Sequence, residues 1–158
     1  MKSNIWVRFV VAAFVLVLIS LFQSANIWAG VRPNLTLTLL LSLSFFFSSW
    51  LTYAVLVLFS GLWLRFTLIP DRSLIVCLTL PLILFFINRY LPWRPVINNA
   101  FSIALGTLLF YAITDIHFFG FDVTAVFFEL VYNVILGTVF FLVFGKFFRY
   151  EETTRLTI

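Results

Sequence analysis

Long apolar runs separated by short polar breaks set the pattern of this chain. Lys2 and Arg8 precede an uncharged stretch from Phe9 to Val31, which reads as a first helix over 9–24 with Gln23, Asn26 and Trp28 at its interfacial end. A basic start before an apolar run also fits a secretory signal peptide, but the cleavage cue around Ala25 to Gly30 is poor, so the helix is read as uncleaved. Arg32-Pro33-Asn34 then breaks the run, and Pro33 suits the first turn of a new helix, where its missing N–H costs nothing. From Pro33 to Leu64 there is no charge. At 1.5 Å per residue that stretch is about 48 Å long, too long for one crossing of a hydrocarbon core roughly 30 Å thick. Ser48-Ser49-Trp50 supplies turn residues and an interfacial aromatic, which predicts a tight hairpin of helices over 35–47 and 51–64. One long tilted helix is the alternative. The alternation Leu35-Thr36-Leu37-Thr38 is strand-like, but an isolated strand in lipid would leave its backbone unpaired. After Arg65, Pro70, Asp71 and Arg72 a fourth helix is expected over 73–88, with Pro81 as a kink. A loop with two prolines and two arginines leads to a fifth helix over 96–114, and the loop 115–122 leads to a sixth over 124–145.

Composition fixes the solvent of these helices. The chain is 63% hydrophobic and 10% charged, against about 45–50% and about 25% in soluble domains. A water-soluble domain and a disordered chain are both excluded. The expected fold class is all-α integral membrane: six short transmembrane helices in one bundle, forming a single polytopic domain over 1–158. With six spans and the N-terminus inside, one side holds Lys2, Arg8, Arg89, Arg94, Lys146, Arg149 and Arg155, and the other holds Arg32, Arg65 and Arg72. Seven against three places both termini in the cytoplasm, and five spans would make the bias weaker. Adjacent Lys and Arg runs are missing, so the net charge of +4 does not point to nucleic acid. The single cysteine, Cys77, has no partner in the chain for a disulfide.

Small and polar residues recur at four-residue spacing inside three spans: Asn34, Thr38, Ser42; Asn98, Ser102, Gly106; and Ala125, Glu129, Asn133, Gly137. Each set shares one helical face. Helices in lipid associate through close approach over small residues and through interhelical hydrogen bonds, so these stripes are expected to be inner seams. The functional alternative is that they line a cavity or a partner groove. Glu129 is the one acid clearly within a predicted span. It is expected to snorkel or to pair with Arg32 or Arg65; a proton or cation site is the sharper alternative. Asp115, His117 and Asp122 in one loop are a weak metal signal, read as a solvated loop. With no nucleophile elbow, HExxH set or phosphate-cradling glycines, the chain reads as a non-enzyme without a cofactor.

Four features together resemble the bacterial rod shape-determining protein MreD family. They are the size; Val31-Arg32-Pro33-Asn34-Leu35 opening the second helix; Phe59-Ser60-Gly61-Leu62-Trp63-Leu64 in the third; and Val131-Tyr132-Asn133-Val134-Ile135-Leu136 in a last helix that ends in Lys146 and Arg149. Arg65 stands where that family's third span often ends in an acid. The resemblance implies a non-enzymatic subunit of the cell-elongation machinery in the bacterial cytoplasmic membrane. Its implied partners are an MreC-like protein, a glycan polymerase and transpeptidase pair and, indirectly, the MreB filament. It also implies a fold similar to the six-helix substrate-binding subunits of energy-coupling-factor transporters. That likeness supplies the alternative function, a vitamin-binding transporter subunit. Arg32, Pro33, Asn34, Glu129, Asn133 and Gly137 are the residues on which a structural or partner motif would rest.

Overall fold

A computed structural model of the chain describes residues 5–24, 34–64, 72–114 and 123–148. Among the described residues the regular elements are all helical: α1 (Ile5–Ser24), α2 (Leu35–Leu43) continuing into a 3₁₀ turn (Ser44–Phe46), α3 (Trp50–Leu64), α4 (Arg72–Ile87), α5 (Pro95–Thr114) and α6 (Val123–Phe147). The uncharged run after Pro33 is thus two helices, broken at 47–49. They do not make the expected hairpin pair, however. α3 packs on α1 and α4, whereas α2 lies among α1, α4, α5 and α6. α4 runs through Pro81, whose ring is buried.

The helices alternate in direction. Arg8 near the start of α1 reaches the end of α2, and Gln23 near the end of α1 reaches Thr36 at the start of α2. Tyr53 stacks on Phe85 while Gly61 abuts Leu78, so α3 and α4 are antiparallel. Thr107 pairs with Asn133 and Tyr111 with Glu129, so α5 and α6 are antiparallel as well. The first and last described residues therefore lie at one end, called the lower end below, with Phe46 packed on Phe148.

Every residue of α2, and the 3₁₀ turn after it, is buried. This helix, which mixes leucines with Thr36, Thr38 and Ser42, forms the axis of the bundle, where its polar side chains meet protein rather than lipid. Its ends are inside too, so its unpaired backbone groups must find partners within the protein. At the upper end the Asn34 side chain accepts from the Leu37 N–H at 3.1 Å, and Gln23 Oε1 accepts from the Thr36 N–H at 3.1 Å and the Thr36 hydroxyl at 3.0 Å. At the lower end the Tyr53 hydroxyl donates to the Leu40 carbonyl at 2.8 Å, Ser44 Oγ to that of Leu41 at 2.6 Å and Arg8 to that of Phe46 at 3.4 Å. Arg89, stacked 4.4 Å from the Phe85 ring centre, donates to the Ser48 carbonyl. Two guanidinium groups thus sit at the carbonyl end of the axial helix, where the helix dipole favours cations.

The outer faces are apolar, with Trp6, Val10, Phe14, Leu58, Leu62, Phe127, Ile135 and Phe147 all exposed. Three helices, α1, α5 and α6, are long and apolar enough to cross a membrane. α2, α3 and α4 are shorter apolar helices.

Candidate functional site

The polar stripes meet where α2, α5 and α6 pack together. Ser42 donates to the Gly137 carbonyl, a pair 95 positions apart. Asn34, whose backbone amide donates to Glu129, keeps the same offset. Between them the parallel register brings Thr38 beside Asn133, and the Thr38 methyl lies 2.9 Å from where a Gly137 Cβ would stand. α5 adds a third member to each level from the opposite direction. Polar layers therefore stack down the seam. The upper one holds Asn34, Glu129 and Tyr111, the middle one Thr38, Asn133 and Thr107, and the lower one Ser42, Gly137 and Asn99.

Each layer has its own chemistry. In the upper one the Tyr111 hydroxyl donates to Glu129 Oε2, and the Asn133 amide also lies against the carboxyl group. In the middle one Asn133 Nδ2 donates to Thr107 Oγ1 at 3.1 Å. In the lower one the Gly137 carbonyl accepts from Ser42 Oγ at 3.1 Å and from Asn99 Nδ2 at 3.2 Å. A side chain at 137 would strike Ile103 Cδ1, 2.1 Å from the Cβ position, so glycine is what lets α5 and α2 close on α6. Gly106 serves α5 likewise, since a Cβ there would meet Leu41 Cδ1 at 2.6 Å.

Glu129 is only 4% exposed and is held by Tyr111, which corrects the expectation that it snorkels to the surface. The arginines expected to pair with it, Arg32 and Arg65, lie outside the described residues, as do Pro33 and the loop residues Asp115, His117 and Asp122. The face of α5 turned to α6 is Asn99-Ile103-Thr107-Tyr111, one position round from the expected stripe. Asn98, Ser102 and Gly106 instead face the 88–91 segment, α4 and α2: Asn98 donates to the Leu91 carbonyl, and Ser102 to Asn88 Oδ1. The polar set Asn99, Thr107 and Tyr111, at helical spacing, was the available signal. Gln23, an interfacial marker by its place in the sequence, is in the structure the partner of Thr36.

Above the seam a cleft of about 220 Å³ opens at the upper end, lined by Gln23, Asn34, Thr36, Ser73, Leu74, Cys77 and Phe110. Asn34 joins this cleft to Glu129. The lower end carries Arg8, Arg89, Arg94 and Lys146, and the upper end carries Arg72 at the start of α4. No cluster of three or more His, Cys, Asp or Glu side chains suited to a metal occurs among the described residues. Among the described residues the geometry is all-helical, with three helices long and apolar enough to cross a membrane, a polar internal seam and a largely apolar exterior. Compared with protein-family models, curated proteins and solved structures, the chain matches none.

Proposed function

We propose that this protein is a non-enzymatic, multi-pass subunit of the bacterial cell-elongation machinery. In this reading it sits in the cytoplasmic membrane with both termini in the cytoplasm and binds other membrane proteins. The observation that carries the reading is how its polar groups are used. The side chains of Asn34, Ser42, Tyr53, Asn99 and Asn133 cap and seam the helices from within, and the exposed perimeter is largely apolar. A rigid core with an apolar perimeter suits docking of a partner's transmembrane helix, since helices in lipid associate by packing. The resemblance to the MreD family names the partners: an MreC-like protein and, through the complex, the glycan polymerase and transpeptidase pair and the MreB filament. Collection of Arg8, Arg89, Arg94 and Lys146 at the lower end supports that end as cytoplasmic.

The upper cleft favours the second reading, a vitamin-binding transporter subunit. Its volume of about 220 Å³ lies below the ~300–1,000 Å³ of typical ligand pockets, which ranks the scaffold first. The test is depletion in a rod-shaped host together with purification in mild detergent. The scaffold reading expects rounded cells and co-elution with an MreC-like protein. Normal cell shape, with saturable thermal stabilisation by thiamine, riboflavin or biotin, would establish the transporter reading instead.

A further inference from the structure

The cations of the lower end divide into two kinds. Arg8 and Arg89 are used inside the protein: Arg8 donates to the Phe46 carbonyl, and Arg89 is stacked on Phe85 and donates to the Ser48 carbonyl. Arg94 and Lys146 are exposed and have no hydrogen bond or ion pair among the described residues. The one acid among those residues, Glu129, is in the upper layer of the seam. The register of α5 on α6 sets the two free charges at one height. Asn99 meets Gly137 and Thr107 meets Asn133, so Arg94 falls level with about 142–146. The turn that carries Arg94 is braced from within. Asn88 Nδ2 donates to Ser44 Oγ at 3.2 Å, Ser102 donates to Asn88 Oδ1, and Asn98 Nδ2 donates to the Leu91 carbonyl at 3.2 Å. The Trp93 ring stands edge-on to Phe101, with centres 5.3 Å apart. Tyr90 and Trp93 are nevertheless exposed, as amphipathic rings are at the level of lipid headgroups. Towards the middle of the bundle the outer surface is Ile97, Phe101, Leu142 and Val143, all exposed. Unpaired cations, then aromatic rings, then an apolar flank follow the order of phosphate, glycerol backbone and acyl chain in an anionic phospholipid.

We propose that the lower ends of α5 and α6, with Arg94, Lys146 and the braced turn bearing Tyr90 and Trp93, form a binding surface for an anionic phospholipid. The two side chains take the phosphate, the rings lie along the glycerol region, and the acyl chains run over the apolar flank. Charge complementarity selects this occupant over a zwitterionic lipid, whose headgroup brings its own cation. The inference rests on the membrane placement proposed above and not on the partner-binding role. A protein that inserts in lipid without any headgroup preference defeats the inference and leaves that placement standing.

Purified full-length protein in a neutral detergent is titrated with phosphatidylglycerol or phosphatidylcholine, and retained lipid is counted by native mass spectrometry. The expected result is saturable retention of phosphatidylglycerol, weakened by added salt, with phosphatidylcholine held far less. Arg94→Gln and Lys146→Gln should each weaken retention about fivefold, and the double variant should lose the preference. Arg94→Lys, which keeps the charge, should retain the lipid. Arg72→Gln at the upper end should leave retention unchanged. Equal retention of the two lipids overturns the proposal, as does an unchanged preference in the double variant. So does a loss in Arg72→Gln as large as that in Arg94→Gln, which would make the preference a property of overall charge. Equally strong binding of glycerol 3-phosphate would assign the charges to a soluble anion and overturn it too. Both substituted side chains are exposed, and an unchanged Tm confirms that each variant is folded.

Discussion

Gly137→Ala probes how closely three helices are packed. The added methyl would sit 2.1 Å from Ile103 Cδ1, 3.2 Å from Ile103 Cγ1 and 2.9 Å from the Thr38 methyl. Ile103 is 0% exposed, so it has no room to turn aside, and α5 must move away from α6. Overpacking of a filled core costs about 1–3 kcal/mol. The displacement also weakens the Ser42 and Asn99 hydrogen bonds to the Gly137 carbonyl, each worth about 1 kcal/mol. Alanine's better helix propensity returns about 1 kcal/mol. The net destabilisation is about 2 kcal/mol, or roughly 4–8 °C in Tm for a chain of this size. Ile103→Val removes the colliding Cδ1 and by itself costs about 0.5–1.5 kcal/mol. In the double mutant the two costs should therefore fall short of additivity by at least about 1 kcal/mol. Gly145→Ala is the control: no atom lies within 4 Å of its added methyl, so propensity alone acts and stability rises by up to about 1 kcal/mol. Thermal unfolding in one detergent gives all four values. Additivity of Gly137→Ala and Ile103→Val within about 0.5 kcal/mol would refute the close approach.

The caps of the axial helix give two further tests by the same assay. Asn34→Ala removes the acceptor for the Leu37 N–H and should cost about 1 kcal/mol, whereas an unchanged Tm would deny it a capping role. Tyr53→Phe keeps the stack on Phe85 but strips the donor from the buried Leu40 carbonyl, with an expected loss of about 1–3 kcal/mol. Topology is checked with single cysteines at Ser49 and His117 in a Cys77-free background, using an impermeant thiol reagent on intact cells. His117 should be labelled and Ser49 protected, and labelling of both from outside would contradict six alternating spans.

What the chain's pattern makes legible is the position of its helices, because the penalty for burying unpaired backbone and charge in lipid acts locally. The polar breaks at Ser48-Ser49 and over 88–94 each coincide with a gap between helices. Partnership is less legible, because it depends on the register between helices far apart in sequence. Asn34, Thr38 and Ser42 are readable as one face, but nothing local says that their counterparts on α6 lie 95 positions on. Nothing local decides, either, between the two adjacent faces of α5. Asn98-Ser102-Gly106 is the more regular small-polar stripe, yet Thr107 and Tyr111 reach Asn133 and Glu129. Both faces turn out to be buried because α5 is wedged between α4 and α6 with α2 in front. A helix with three neighbours needs small or polar residues on more than one stripe, so a single four-residue repeat under-reports its contacts. The same reasoning explains Gln23. A residue that ends one apolar run looks like an interfacial marker until the next helix is known to be short and enclosed. Once α2 has both ends inside the bundle, an acceptor for the Thr36 N–H becomes a physical requirement, and the end of α1 is placed to meet it.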